Sequence, residues 1–109
     1  MSRVKIFVTV PVEYGERVRQ AAGDAGAGRY EKYSYCSFSW RGVGRFLPLE
    51  SAEPFIGEVG SLTEVEEEMV ELVCEKSLAK GVIEAIRQAH PYETPTIDIV
   101  ELVSEEDLG

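Results

Sequence analysis

Apolar positions along this chain follow two rhythms, and the change from one to the other marks out the elements. Val4 to Val10 is rich in β-branched and aromatic residues with little alternation, the pattern of a central strand, and Pro11 closes it. From Glu13 to Ala25, apolar or small residues recur at Tyr14, Val18, Ala21, Ala22 and Ala25, a three-and-four spacing that predicts a helix, with Gly26 and Gly28 as stop signals. Tyr30 to Trp40 reads as a long strand with Cys36, Phe38 and Trp40 on one face and Ser37 and Ser39 on the other. Gly42 and Gly44 bracket Val43 in an expected tight turn, so that Arg45-Phe46-Leu47 returns as the short arm of a hairpin ending at Pro48. The segment from Pro48 to Ser61 is rich in turn residues yet keeps Phe55, Ile56 and Val59, which predicts an ordered loop pinned by apolar anchors. A loop of that length in a small domain is a place to look for function.

The acidic run Glu64 to Glu68 reads as a solvated strand start or loop face rather than a cation site. Alternation then predicts a strand over Met69 to Cys74. Ser77 is placed to cap a second helix, whose buried stripe is Leu78, Val82, Ile83, Ile86 and Ala89. That helix must end at His90-Pro91, because a proline pushes the residue before it out of helical angles, and Pro95 acts on Thr94 in the same way. Thr96 to Val103 forms the last strand. Residues 1–103 are expected to form one domain, and 104–109 an acidic, flexible tail.

The resulting order, strand, helix, paired strands, strand, helix, strand, predicts an α+β fold: a ferredoxin-like β-α-β-β-α-β sandwich with an antiparallel sheet and both helices on one face. Two helices cover only one face, so the other stays partly apolar. Burial against copies of the same chain is the expected solution, hence a homo-oligomer.

At 109 residues the chain supports one core, so a large cleft calls for a second subunit. A formal charge of −9 repels polyanions and removes nucleic acid and anionic membranes as partners. There is no apolar run near the roughly 20 residues that span a bilayer, and the amino terminus lacks a small-residue cleavage site, which points to the cytoplasm. Cys36 and Cys74 are too few for a disulfide scaffold, and both sit in strand-like surroundings that suit core filling.

Chemistry has few anchors. A single histidine, His90, falls short of the usual two-metal hydrolytic set, and no nucleophile elbow accompanies Cys36, so the sequence gives no evidence of catalysis. The Gly42 and Gly44 pair lies between strands, which does not suit a phosphate cradle. The sharpest chemical possibility is a copper or zinc site of His90 and Glu93, with Cys36 or Cys74 completing it. The expectation set against it, and preferred, has His90 closing the helix carboxyl end while Glu93 pairs locally and Tyr92 packs the corner.

Several motifs occur together and in order: Cys36-Ser37-Phe38, Gly42-Val43-Gly44-Arg45-Phe46-Leu47-Pro48, Ala52-Glu53-Pro54-Phe55-Ile56-Gly57, Val65-Glu66-Glu67 and His90-Pro91-Tyr92-Glu93. In this they resemble the domain inserted in the Nif-three-like proteins, here as a stand-alone chain. The His-Pro-Tyr-Glu corner also resembles that of the CutA family, and both are similar in fold to the PII signalling proteins. Ser51, Thr94 and Glu31-Lys32 depart from the family pattern. The resemblance implies a trimer with a ligand site at subunit clefts, lined by Arg45, Pro54, Phe55, Gly57, His90, Tyr92 and Glu93. A small anionic ligand or a separate metal-domain protein would be a partner of such a module. The dinuclear metal site of the Nif-three-like proteins lies in a domain this sequence does not contain. The expectation is therefore a binding or regulatory module, with CutA-like binding of a divalent metal, copper or zinc, at His90, Glu93 and Cys36 as the alternative.

Overall fold

Val4, Ile6, Val8 and Val10 alternate along the first strand, and all four are buried on the same side, which fixes the face on which the helices lie. The computed structural model describes residues 2–109. Its four strands are β1 (Arg3–Pro11), β2 (Phe38–Phe46), β3 (Thr63–Glu75) and β4 (Ile97–Leu102), and its two helices are α1 (Gly15–Asp24) and α2 (Ala79–Ala89). They form one sheet in the order β2-β3-β1-β4, with every neighbouring pair antiparallel. This is the expected ferredoxin-like arrangement, an antiparallel sheet whose crossovers run through the helices.

The core lies between the sheet and the helices. Val70, Leu72 and Cys74 of β3 meet the β1 valines, and Val18 and Ala22 of α1 with Val82 and Ile86 of α2 close over them. Each large aliphatic side chain removed from water in this way contributes on the order of 2 kcal/mol. Small residues on α1 let it approach the sheet, as their spacing predicts. On the opposite face, Phe38 and Trp40 stand opposite Glu71 and Met69 and remain 66% and 54% exposed. The partly apolar open face is thus present.

The Gly42–Gly44 segment differs from expectation. There is no hairpin turn there: β2 runs straight through both glycines and pairs with β3 along its whole length. Nor is Tyr30 to Ser37 a strand, since it makes turns with one isolated bridge between Tyr30 and Tyr33. Strand β3 in turn starts at Thr63 and includes the acidic run. The reason is cross-strand charge. Arg45 lies directly opposite Glu64, its Nε donating to Glu64 Oε2 at 2.6 Å, so the acids are accommodated in a ladder rather than left in a loop.

Smaller corrections concern Cys36 and the start of α2. Cys74 is buried core, but Cys36 is exposed, because it belongs to the loop: its N–H donates to the Gly28 carbonyl at 2.8 Å. Ser77 caps nothing, since a 3₁₀ turn over Lys76–Leu78 precedes α2 and leaves Leu78 40% exposed. The acidic end forms a 3₁₀ turn, Glu105–Leu108, with Ser104 accepting from the Glu106 N–H.

Candidate functional site

Strand β3 outruns β1. The β1 ladder stops at the Pro11–Glu67 pair, whereas β2 and β3 continue as a two-stranded ribbon from Val43–Glu66 to Phe46–Thr63. Between this ribbon, the end of β1 and the corner after α2 lies an open-sided cavity of about 760 Å³. Its lining includes Thr9, Gly44 to Leu49, Ala52, Pro54 to Ile56, Glu67 and Tyr92 to Thr94. The loop is pinned over it at two points. Phe55 packs edge-on against Tyr14 (centroids 5.6 Å apart), and the Glu53 N–H donates to Glu93 Oε1 at 3.1 Å.

The corner is built on His90. Its backbone N–H closes α2 by donating to the Ile86 carbonyl, and its ring, 6% exposed, turns to the sheet. Nε2–H donates to the Thr9 carbonyl at 2.7 Å, while Nδ1 accepts the Tyr92 N–H at 3.1 Å. The expected cap is therefore modified: the imidazole holds β1 rather than the helix carbonyls, and Glu93 reaches the loop rather than pairing locally. Burial pushes His90 below the usual imidazole range, against the opposing pull of the Thr9 carbonyl and Glu67.

Tyr92 packs on Phe46 and on the His90 ring, and its hydroxyl donates to Glu67 Oε2 at 2.7 Å. Burial, followed by that carboxylate, raises the phenol well above its ordinary value. Glu67 itself is 7% exposed. The sequence pattern includes it in the Val65-Glu66-Glu67 motif but assigns it no place among the site residues. The signal was available, because extending the β3 alternation back from Val70 places Glu67 on the open face, at the cavity.

Of the residues expected to bind ligand, Arg45, Pro54, Phe55, Tyr92 and Glu93 line the cavity, His90 supports it from behind, and Gly57 stands outside as a turn residue with φ +96°. The expected metal set is not brought together. Cys36 lies beyond the Phe38 end of β2, level with the far part of β3, roughly 13 Å or more along the strands from Glu67. Both His90 nitrogens are occupied. Among the described residues, no three His, Cys, Asp or Glu side chains gather in an arrangement that could hold a metal ion. No helix is long and apolar enough to cross a membrane.

No protein-family model matches the chain. A "GTP cyclohydrolase 1 type 2 homolog" of Bacillus subtilis is 53% identical over 95 residues, which cover 87% of this chain and 26% of that protein. The crystal structure of a Bacillus cereus protein related to NIF3 superposes with a TM-score of 0.83 at 42% identity, over 94% of this chain and 26% of the other. The chain is thus similar to one part of the Nif-three-like proteins. It spans about a quarter of the length of these relatives, corresponding to one segment of them. The periplasmic divalent cation tolerance protein CutA of Archaeoglobus fulgidus matches 97% of the chain and 91% of its own length, with a TM-score of 0.69 and 18% identity, which shows a common fold. Within the Nif-three-like segment, the His-Pro-Tyr-Glu corner is the element that ties α2, β1 and the cavity together.

Proposed function

We propose that the chain acts as a small, self-associating binding or regulatory module of the cytoplasm, with its ligand site in the cavity beside the His90 corner. The observation that carries this reading is the construction of the cavity. Three separate segments converge on it, the loop above is pinned by Phe55 and Glu53, and a buried carboxylate faces into it. A mostly apolar concavity with a few fixed polar groups is the usual form of a small-molecule site. Self-association is supported by Phe38 and Trp40 on the uncovered sheet face, whose exposure is costly in a lone subunit.

The test is the native mass of freshly purified protein, measured with and without chelator and alongside elemental analysis. An oligomer, a trimer by the family resemblance, whose mass is unchanged by chelator is the expected result. A monomer at micromolar concentration would overturn self-association. Metal at near one equivalent, removed by chelator with loss of the oligomer, would replace this reading with a metal-binding one.

A further inference from the structure

Two neighbouring glutamates on β3 are treated in opposite ways. Glu68 faces the helices and Glu67 the open side, and both are nearly buried, at 8% and 7% exposure. Each runs over a glycine: a Cβ on Gly15 would overlap Glu68 Oε1, and a Cβ on Gly44 would overlap Glu67 Oε1. So far the two are alike. Glu68, however, has a cation, since Arg19 Nη1 donates to it. Among the described residues, Glu67 has none. Its one hydrogen-bond partner is the Tyr92 hydroxyl on Oε2; Oε1 lies over Gly44 without a partner, and both residues line the cavity.

A nearly buried carboxylate is favoured by a counter-charge, and because no side-chain oxygen of the described residues is both sealed from water and unpartnered, Oε1 remains accessible to one. No side chain of the cavity supplies that partner. Arg45 is the arginine in its lining, and its Nε is already bonded to Glu64; the second acid, Glu93, adds negative charge. The wall on the side of the loop is apolar, from Phe46, Leu47, Pro48 and Pro54 to Ile56, and Thr9, Ser51, Thr94 and Thr96 add neutral hydroxyl groups elsewhere. Hard metal cations need several oxygens at once, which this lining does not gather.

Resting on the reading of this cavity as a ligand site, we infer that it takes an organic cation, with an amidinium-, guanidinium- or ammonium-type N–H group set on Glu67 Oε1 and an apolar body lying against the loop. Tyr92 is the positioning residue: its hydrogen bond to Oε2 holds the carboxylate so that Oε1 faces the ligand. This is the opposite charge from the small anion that the family resemblance suggests.

Benzamidinium is a suitable probe, with neutral benzamide as its matched control and inorganic phosphate as the anion, each titrated into the intact chain and followed by amide chemical shifts. The expected result is saturable shifts at Gly44, Glu67 and Tyr92 with benzamidinium, and binding of benzamide weaker by about tenfold or more. Glu67→Gln, which can still accept from Tyr92, should lose that preference. Tyr92→Phe, which keeps the carboxylate but removes the bond that holds it, should still prefer benzamidinium to benzamide but bind it several-fold more weakly, and circular dichroism confirms that each variant is folded. Equal affinity for benzamide and benzamidinium, or an unchanged preference in Glu67→Gln, would overturn the inference. Phosphate shifting the same amides while benzamidinium does not would overturn the charge assignment and leave the binding reading standing. Silence with all three probes would overturn both.

Discussion

His90 donates through Nε2 to the Thr9 carbonyl at 2.7 Å, at the point where β1 has run past the end of the β4 ladder. The imidazole thus satisfies a carbonyl at the first β1 residue that β4 does not reach, and it ties the end of α2 to the central strand. A side chain expected to serve the helix serves the sheet.

That arrangement sets a pH dependence. The native state keeps His90 neutral, with its affinity for a proton lowered by burial. Below the ordinary imidazole value of about 6.5, the unfolded chain takes up a proton that the native state refuses, so stability falls as pH drops from there toward the lower native value. Above that range the contribution is constant. Because His90 is the only histidine, urea midpoints between pH 7.5 and 5.5 should decline in the parent and be flatter in His90→Gln. Equal slopes would contradict the assignment.

Gly44→Ala is expected to destabilise, although replacing a strand glycine by alanine ordinarily helps by about 0.5–1 kcal/mol. The added methyl group occupies the place of Glu67 Oε1, and swinging the carboxylate aside strains its hydrogen bond to Tyr92, at a cost of roughly 1–3 kcal/mol. Combining it with Glu67→Ala should recover most of the loss. A double-mutant cycle in urea would show coupling of about 1 kcal/mol or more, and strict additivity would argue against the contact.

Trp40→Glu tests the open face. With the side chain already 54% exposed in the single subunit, the change should leave far-ultraviolet circular dichroism intact and reduce the native mass measured by light scattering. An unaltered oligomer would place the interface elsewhere.

Ile86→Ala removes a fully buried side chain between α2 and the sheet and should cost about 2–5 kcal/mol in chemical denaturation. The loss would reach the cavity as well, because the same helix turn delivers His90. Amide shifts at Tyr92 should therefore move in this variant but not in an exposed change on the same helix, such as Arg87→Ala.

The elements that bury a stripe were legible in the sequence. Val4 to Val10, Val18 with Ala22, and Val82 with Ile86 carry one face each, and tertiary packing adds nothing that contradicts their local rhythm. The glycines of β2 carry the local pattern of a turn although the strand runs through them. Gly44 is required by a carboxylate that lies 23 positions away in sequence, and local patterning cannot register that contact. Of the two readings open for the acidic run, the strand start is the one found, and what selects it becomes visible only when the four-residue spacing of Arg41 and Arg45 is set antiparallel to that of Glu64 and Glu68. The His90 corner was found at once, since prolines act on their immediate neighbours. Its bond to Thr9 spans 81 positions and left no local mark.

Glu67 is the last β3 residue gripped from both sides, by Gly42 on one flank and Pro11 on the other, whereas the next four residues toward Thr63 are held by β2 alone. A ribbon of two strands bends far more readily than a four-stranded sheet with helices behind it. The carboxylate inferred to meet the ligand is therefore held in the four-stranded part of the sheet, and the wall facing it stands on the two-stranded part. Larger occupants would tilt the ribbon outward without moving the charge they are bound to, so selectivity for charge would be strict and tolerance for size broad.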